Sequence, residues 1–238
     1  PEEGEGEGGN QAGAAPPGGG ARDAAELVGL YRRLGPAIFP GWRRRYPARL
    51  HGALRCRYRV EALTAIVRQM FGEQTLDGAL TDLLIPCYDT EGRLPRFFER
   101  RPALDPEGWG SAARFRAWEV ARAATAAPTY FAPARVSRVD GLSGPGGAFS
   151  LIDGGVFANN PSLCASAAAR RLYPDAESLL VLSVGTGVTD RPYPYEQMRS
   201  WGSLDWISPR KGSPLIDVML DGQSDEAVRI LDTLPGVR

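Results

Sequence analysis

The stretch Ser150–Pro161, SLIDGGVFANNP, has the one arrangement in this chain that most resembles a catalytic connection. An apolar strand stops on a carboxylate, Asp153. Gly154 and Gly155 follow, and a helix opens at Asn159-Asn160-Pro161. In open α/β sheets, sites form at the carboxyl ends of strands. The two glycines remove side-chain bulk there, so another backbone or a substrate can approach closely. Asn160 suits a helix cap with Pro161 at the first helical position. Asp-Gly is also an ordinary turn dipeptide, and on those two residues alone a turn suffices.

A carboxylate base needs a nucleophile to activate. His51 is the chain's single histidine and lies in an arginine-rich loop, so a Ser-His-Asp triad is not expected. The activated serine of a strand-to-helix elbow sits in G-x-S-x-G, and no serine here meets that pattern. In GLSGPG, Ser143 is followed by Pro145 where glycine is required, and more glycine replaces the helix. Ser183 of SVGTG lies inside a strand-like run. GTGVTD, ending at Asp190, lacks the third glycine of a dinucleotide fingerprint, and prolines follow it instead of a helix. GGGAR, Gly18–Arg22, has no preceding strand and reads as linker. Cys56, Cys87 and Cys164 are odd in number and have no metal-like spacing, so neither a disulfide framework nor a metal site is expected from them, and no segment of the chain implies an organic cofactor.

The elements that must hold Asp153 follow from periodicity. Residues 1–21 are Gly, Glu, Ala and Pro without a large apolar side chain, a composition expected to be disordered. Asp23 caps a helix with Leu27, Leu30, Tyr31 and Leu34 on one face, expected to end at Gly35-Pro36. A second amphipathic helix carries Val60, Leu63, Val67 and Met70, and Gly72 closes it. DLLIPCYDTEGR is a short buried strand followed by a turn or hairpin at Asp89–Arg93, RFRAWEVARAATAAP a small-residue helix, and AFSLID a strand before the helix PSLCASAAARRLY. SLLVLSVGTG is expected to be an apolar strand, and PLIDVMLDGQSDEAVRILDTL a helical region interrupted near Gly222. Strands alternating with helices predict an α/β domain with a mainly parallel sheet.

Composition sets the outer limits. With 238 residues, 43% hydrophobic and 24% charged, the chain suits one globular domain plus a tail. Its formal net charge is zero, which gives no bulk electrostatic reason to bind nucleic acid. No apolar run reaches transmembrane length. The chain opens on Pro1 rather than Met and is expected to be part of a longer polypeptide. The arginine- and aromatic-rich run IFPGWRRRYP suits either a membrane interface or a solvated loop.

Taken in order, these segments resemble the patatin-like phospholipases, acyl hydrolases that use a Ser–Asp dyad without histidine. AAELVGLYRRLGPAIFP, TDLLIPCYDTEGRLPRFF, WEVARAATAAPTYFAP, LIDGGVFANNP and LLVLSVGTG each match a family segment, and DVMLDGQSD is similar to another. The resemblance implies a three-layer α/β fold with a mainly parallel central sheet, incomplete at its N-terminal side. It implies a partial domain over residues 22–238 and Asp153 as general base, with Gly154, Gly155, Asn159 and Asn160 as its supporting motif. It also implies a lipid acyl substrate met at a membrane or micelle interface, in the cytoplasm or peripherally on a membrane. The family's oxyanion loop and G-x-S-x-G serine precede the first of these segments, where this chain has low-complexity sequence. The nucleophile is therefore expected to lie outside the 238 residues. Missing central strands would leave the LLVLSVG and AFSLID strands with exposed apolar faces or unpaired edges. The alternative is a catalytically inactive patatin-fold protein that binds lipid or a protein partner.

Overall fold

The computed structural model describes residues 23–39, 56–101, 103–104, 115–139, 148–187, 192–208 and 211–237. Helix α1 (Ala24–Ile38) starts where Asp23 accepts a hydrogen bond from the Ala25 N–H at 3.1 Å. It does not stop at Gly35-Pro36. It runs one turn further and ends where the Phe39 N–H reaches the Gly35 carbonyl at 2.8 Å. Only Leu30 of its expected apolar face is buried, while Leu27 and Tyr31 remain exposed. Helix α2 (Val60–Phe71) follows its predicted bounds. Gly72, at φ +56°, ends it in a conformation that favours glycine.

The chain is α/β, with helices on both faces of a four-stranded sheet. Strands β1 (Leu84–Asp89) and β2 (Leu94–Glu99) form a hairpin. Its turn is fixed by the Asp89 carboxylate, which accepts from the N–H groups of Glu91 and Gly92 at 3.1 and 3.0 Å. Helix α3 (Ala117–Ala124), β3 (Ala134–Val136) and β4 (Phe149–Asp153) come next. The spatial order is β2-β1-β4-β3, and every pairing is antiparallel.

This corrects the expectation of a mainly parallel sheet. A tight hairpin can only pair antiparallel strands. β4 enters between β1 and β3 in the same sense, with Cys87 opposite Asp153 and Ala134 opposite Leu151. The segment expected to supply the next parallel strand, Leu179–Gly187, forms one isolated parallel bridge, Leu179 to Val237, and otherwise stays outside the sheet. Leu180, Leu182 and Val184 there are 88%, 86% and 83% exposed, the unpaired apolar run anticipated above. The same expectation fails for β4, whose Leu151 is fully buried between two partner strands.

Side chains alternate across the sheet. One face, with Cys87, Phe98, Val136 and Leu151, packs on Val120 and Ala123 of α3 and on Phe115. The alanines of α3 let its backbone approach the strands closely, as the small-residue pattern implied. α2 covers a second apolar cluster, in which its Leu63 and Val67 pack with Phe131 of the loop after α3. On the opposite face, Tyr88 and Phe97 pack against Phe157 of α4 (Gly155–Ala158). Four further helices follow: α5 (Ser162–Leu172), α6 (Tyr195–Met198), α7 (Ser203–Trp206) and α8 (Pro214–Leu231). α8 is continuous, so the break expected near Gly222 does not occur; beyond the helix's own backbone and its chain neighbours, a Cβ at that position would meet nothing within 4 Å. One glycine inside a packed helix costs about 1 kcal/mol, too little to break it.

Candidate active site

Asp153 is the last residue of β4 and shares the Cys87 face of the sheet. Its backbone N–H donates to the Ala126 carbonyl at 3.1 Å, which fastens the strand end to the loop leaving α3. That loop is itself tightly held. Thr129 sits at φ +71°, unusual for a β-branched residue, and its carbonyl accepts from the Arg57 N–H at 2.9 Å. The Arg122 guanidinium donates to the Ala132 carbonyl at 2.8 Å.

The two glycines after Asp153 have different functions. Gly154 has ordinary right-handed torsions, φ −68° and ψ −12°, so its role is space. A Cβ there would lie 2.4 Å from the Pro86 carbonyl carbon and oxygen, against the backbone of β1. Gly155 supplies a donor: its N–H reaches Asp153 Oδ1 at 2.8 Å. Among the described residues no hydrogen bond is made to the other carboxylate oxygen. Half-burial pushes the Asp153 carboxyl above the ordinary aspartate range, and the Gly155 N–H pulls it back. The neighbouring Cys87 thiol is raised by burial and then by the Asp153 charge, so it is not a thiolate nucleophile.

Asn159 and Asn160 belong to the same connection. Asn159 Nδ2 donates to Ser224 Oγ at 2.9 Å and to the Leu220 carbonyl at 3.4 Å, both on α8. Asn160 Oδ1 accepts from the Ser162 N–H at 3.1 Å and the Ser162 hydroxyl at 2.6 Å, a contact made from the residue before the cap position of α5. Pro161 occupies the cap position itself, one residue earlier than expected. The Ser183 hydroxyl reaches the same Asn160 oxygen at 3.5 Å, so that serine is turned to this side chain. His51, Ser143, Asp190, the GGGAR run and most of the Ile38–Pro47 loop lie outside the described residues.

Sequence reasoning missed Gln223 and Ser224. Gln223 Nε2 donates to the Val156 carbonyl at 3.0 Å, beside the Asn159–Ser224 bond. DGQSD carried a family-like pattern, but nothing in its spacing placed it against a turn more than sixty residues away.

A sequence profile of the patatin-like phospholipases matches residues 18–164, more than half of the chain and all of the Asp153 connection. The chain belongs to the patatin-like phospholipase family. Among its relatives, patatin-like protein 1 of Oryza sativa subsp. indica is 31% identical over 217 residues, which are 85% of this chain and 51% of that protein. Patatin-like protein 6 of Arabidopsis thaliana is 32% identical over 170 residues, 68% of this chain and 32% of the relative. Patatin-like protein 3 of Arabidopsis thaliana is 28% identical over 216 residues, 82% of this chain and 49% of the relative. The chain thus spans about half the length, or less, of these patatin-like relatives. Among the described residues no helix is long and apolar enough to cross a membrane.

Proposed function

We propose that this chain is the base-bearing part of a lipid acyl hydrolase. Asp153 is its general base, and residues 22–238 are a partial patatin-like domain. The observation that carries the reading is the Asp153 carboxyl: fixed at a strand end, half-buried, and holding its proton more tightly than an ordinary aspartate. Raised proton affinity suits a base that must take a hydroxyl proton without a histidine.

In the reaction, a serine oxygen bonds to the acyl carbon of a lipid ester as its proton passes to Asp153. The carbonyl electron pair moves onto oxygen, where backbone amides of a glycine-rich loop hold it. Collapse expels the alcohol, which takes the proton from Asp153 and leaves an acyl-enzyme. Water repeats the sequence with the same base and releases the acid. The serine and the oxyanion loop belong to sequence outside these 238 residues. The exposed run Leu180, Leu182, Val184 is consistent with that assignment, since it offers an apolar edge to further strands. The substrates are phospholipid-type acyl esters, reached at a membrane or micelle surface.

Reading the coding sequence upstream of Pro1 is the test. A strand followed by G-x-S-x-G supports the hydrolase. Continuous low-complexity sequence with no such elbow overturns it.

A further inference from the structure

Helix α4 is a single turn, too short to be stable alone. Its first residue, Gly155, donates the hydrogen bond that orients Asp153. Something outside that turn must hold it, and α8 touches it at two adjacent residues. Gln223 donates to the Val156 carbonyl at 3.0 Å, satisfying an acceptor that so short a helix leaves without a partner. Ser224 accepts from Asn159 Nδ2 at 2.9 Å. The other end of the Asn159 amide, Oδ1, lies 3.4 Å from where a Cβ on Gly155 would stand, so Asn159 rests directly over the residue that bonds Asp153. Both α8 residues lie beyond the 18–164 span matched by the family profile.

We propose that Gln223 and Ser224 are positioning residues for Asp153: through Val156 and Asn159 they fix the Gly155 N–H on the carboxylate. The proposal rests on the reading of Asp153 as the base, but its test concerns geometry alone.

The measurement is NMR of the labelled 238-residue chain, following hydrogen exchange of the Gly155 amide and the titration of the Asp153 carboxyl carbon. In Ser224→Ala and Gln223→Leu, Gly155 exchange is expected to accelerate about tenfold relative to the core amide of Val120, as local opening becomes easier. The Asp153 midpoint moves upward in both, because the lost N–H bond favoured the ionised form. Ser224→Thr, which keeps the accepting oxygen, restores both readings. Asn159→Leu, of similar size and with neither donor nor acceptor, gives the same Gly155 acceleration without altering α8. Unchanged exchange and midpoint overturn the proposal. So does equal acceleration at Gly155 and Val120, which means general unfolding instead of local positioning. The base reading fails by a different result: a serine-bearing form that keeps its fluorophosphonate reactivity in Asp153→Asn.

Discussion

Gly154→Ala isolates what the close approach behind Asp153 is worth. The torsions at this position suit alanine, so the backbone itself gains about 0.4–1 kcal/mol from the smaller entropy of the unfolded chain. Against that stands a Cβ 2.4 Å from Pro86 C and O and 2.6 Å from Pro86 Cβ. Carbon contacts are comfortable at about 3.5–4.0 Å, so the new methyl must displace its neighbour by roughly 1 Å. The neighbour is the backbone of β1, an interior strand bonded on both sides. Overpacking of this kind costs about 1–3 kcal/mol and sometimes more. The upper end applies here because no side chain can rotate away. The net expectation is a loss of about 2–3 kcal/mol, a fall in Tm of roughly 5–10 °C for a chain this size.

Two alanine substitutions calibrate the result in the same thermal and urea unfolding assays. In Gly155→Ala the Cβ meets only side-chain ends, Asp153 Oδ1 at 3.3 Å and Asn159 Oδ1 at 3.4 Å, so stability changes by less than about 1 kcal/mol. In Gly222→Ala nothing beyond the helix's own backbone and chain neighbours lies within 4 Å, and α8 gains about 0.5–1 kcal/mol. A Gly154→Ala protein as stable as the parent would refute the packing argument.

Further outcomes follow from charge and exposure. The folded chain holds the Asp153 proton more tightly than the unfolded chain, whose value is near 3.8. The resulting stabilisation is complete below that pH and is lost as pH rises through the folded value. Asp153→Asn is therefore expected to raise Tm at pH 7, with the gain vanishing below pH 3.8; a gain of equal size at both pH values contradicts this. Replacing Leu180, Leu182 and Val184 together by serine is expected to cut binding of a hydrophobic dye by half or more, with stability changed by less than about 1 kcal/mol. A large drop in Tm in that variant would mean these side chains are buried in solution.

What the sequence made legible was local. Strand-then-Asp153 and the Leu63/Val67 face of α2 follow from periodicity, and the structure has both; the expected Asn160 cap is displaced by one residue, with Pro161 at the cap and Asn160 bonded to Ser162. The direction of the sheet was not legible, because a Val- and Leu-rich strand reads the same whether its partners run parallel or antiparallel. The alternating βα pattern suggested crossovers, but the β1–β2 turn at Asp89 and the insertion of β4 between β1 and β3 made every pairing antiparallel. Leu179–Gly187 had the composition of a buried strand, yet composition cannot say whether a partner strand is at hand. At the site, type and spacing marked Asp153 and its glycines only as a tight strand-to-helix turn, and the proposed base role comes from the family resemblance. Pro86 behind Gly154, Cys87 beside Asp153 and Gln223–Ser224 over the turn were not legible, because each depends on strand register or helix docking.

The central claim is that Asp153 is a base whose serine lies outside this chain, and fluorophosphonate labelling followed by mass spectrometry tests it most directly. The purified 238-residue protein is expected to take up no stoichiometric label on any serine. A form extended upstream to include G-x-S-x-G is expected to label at that serine and to lose the reaction in Asp153→Asn. Stoichiometric labelling of one serine within these 238 residues would contradict the account.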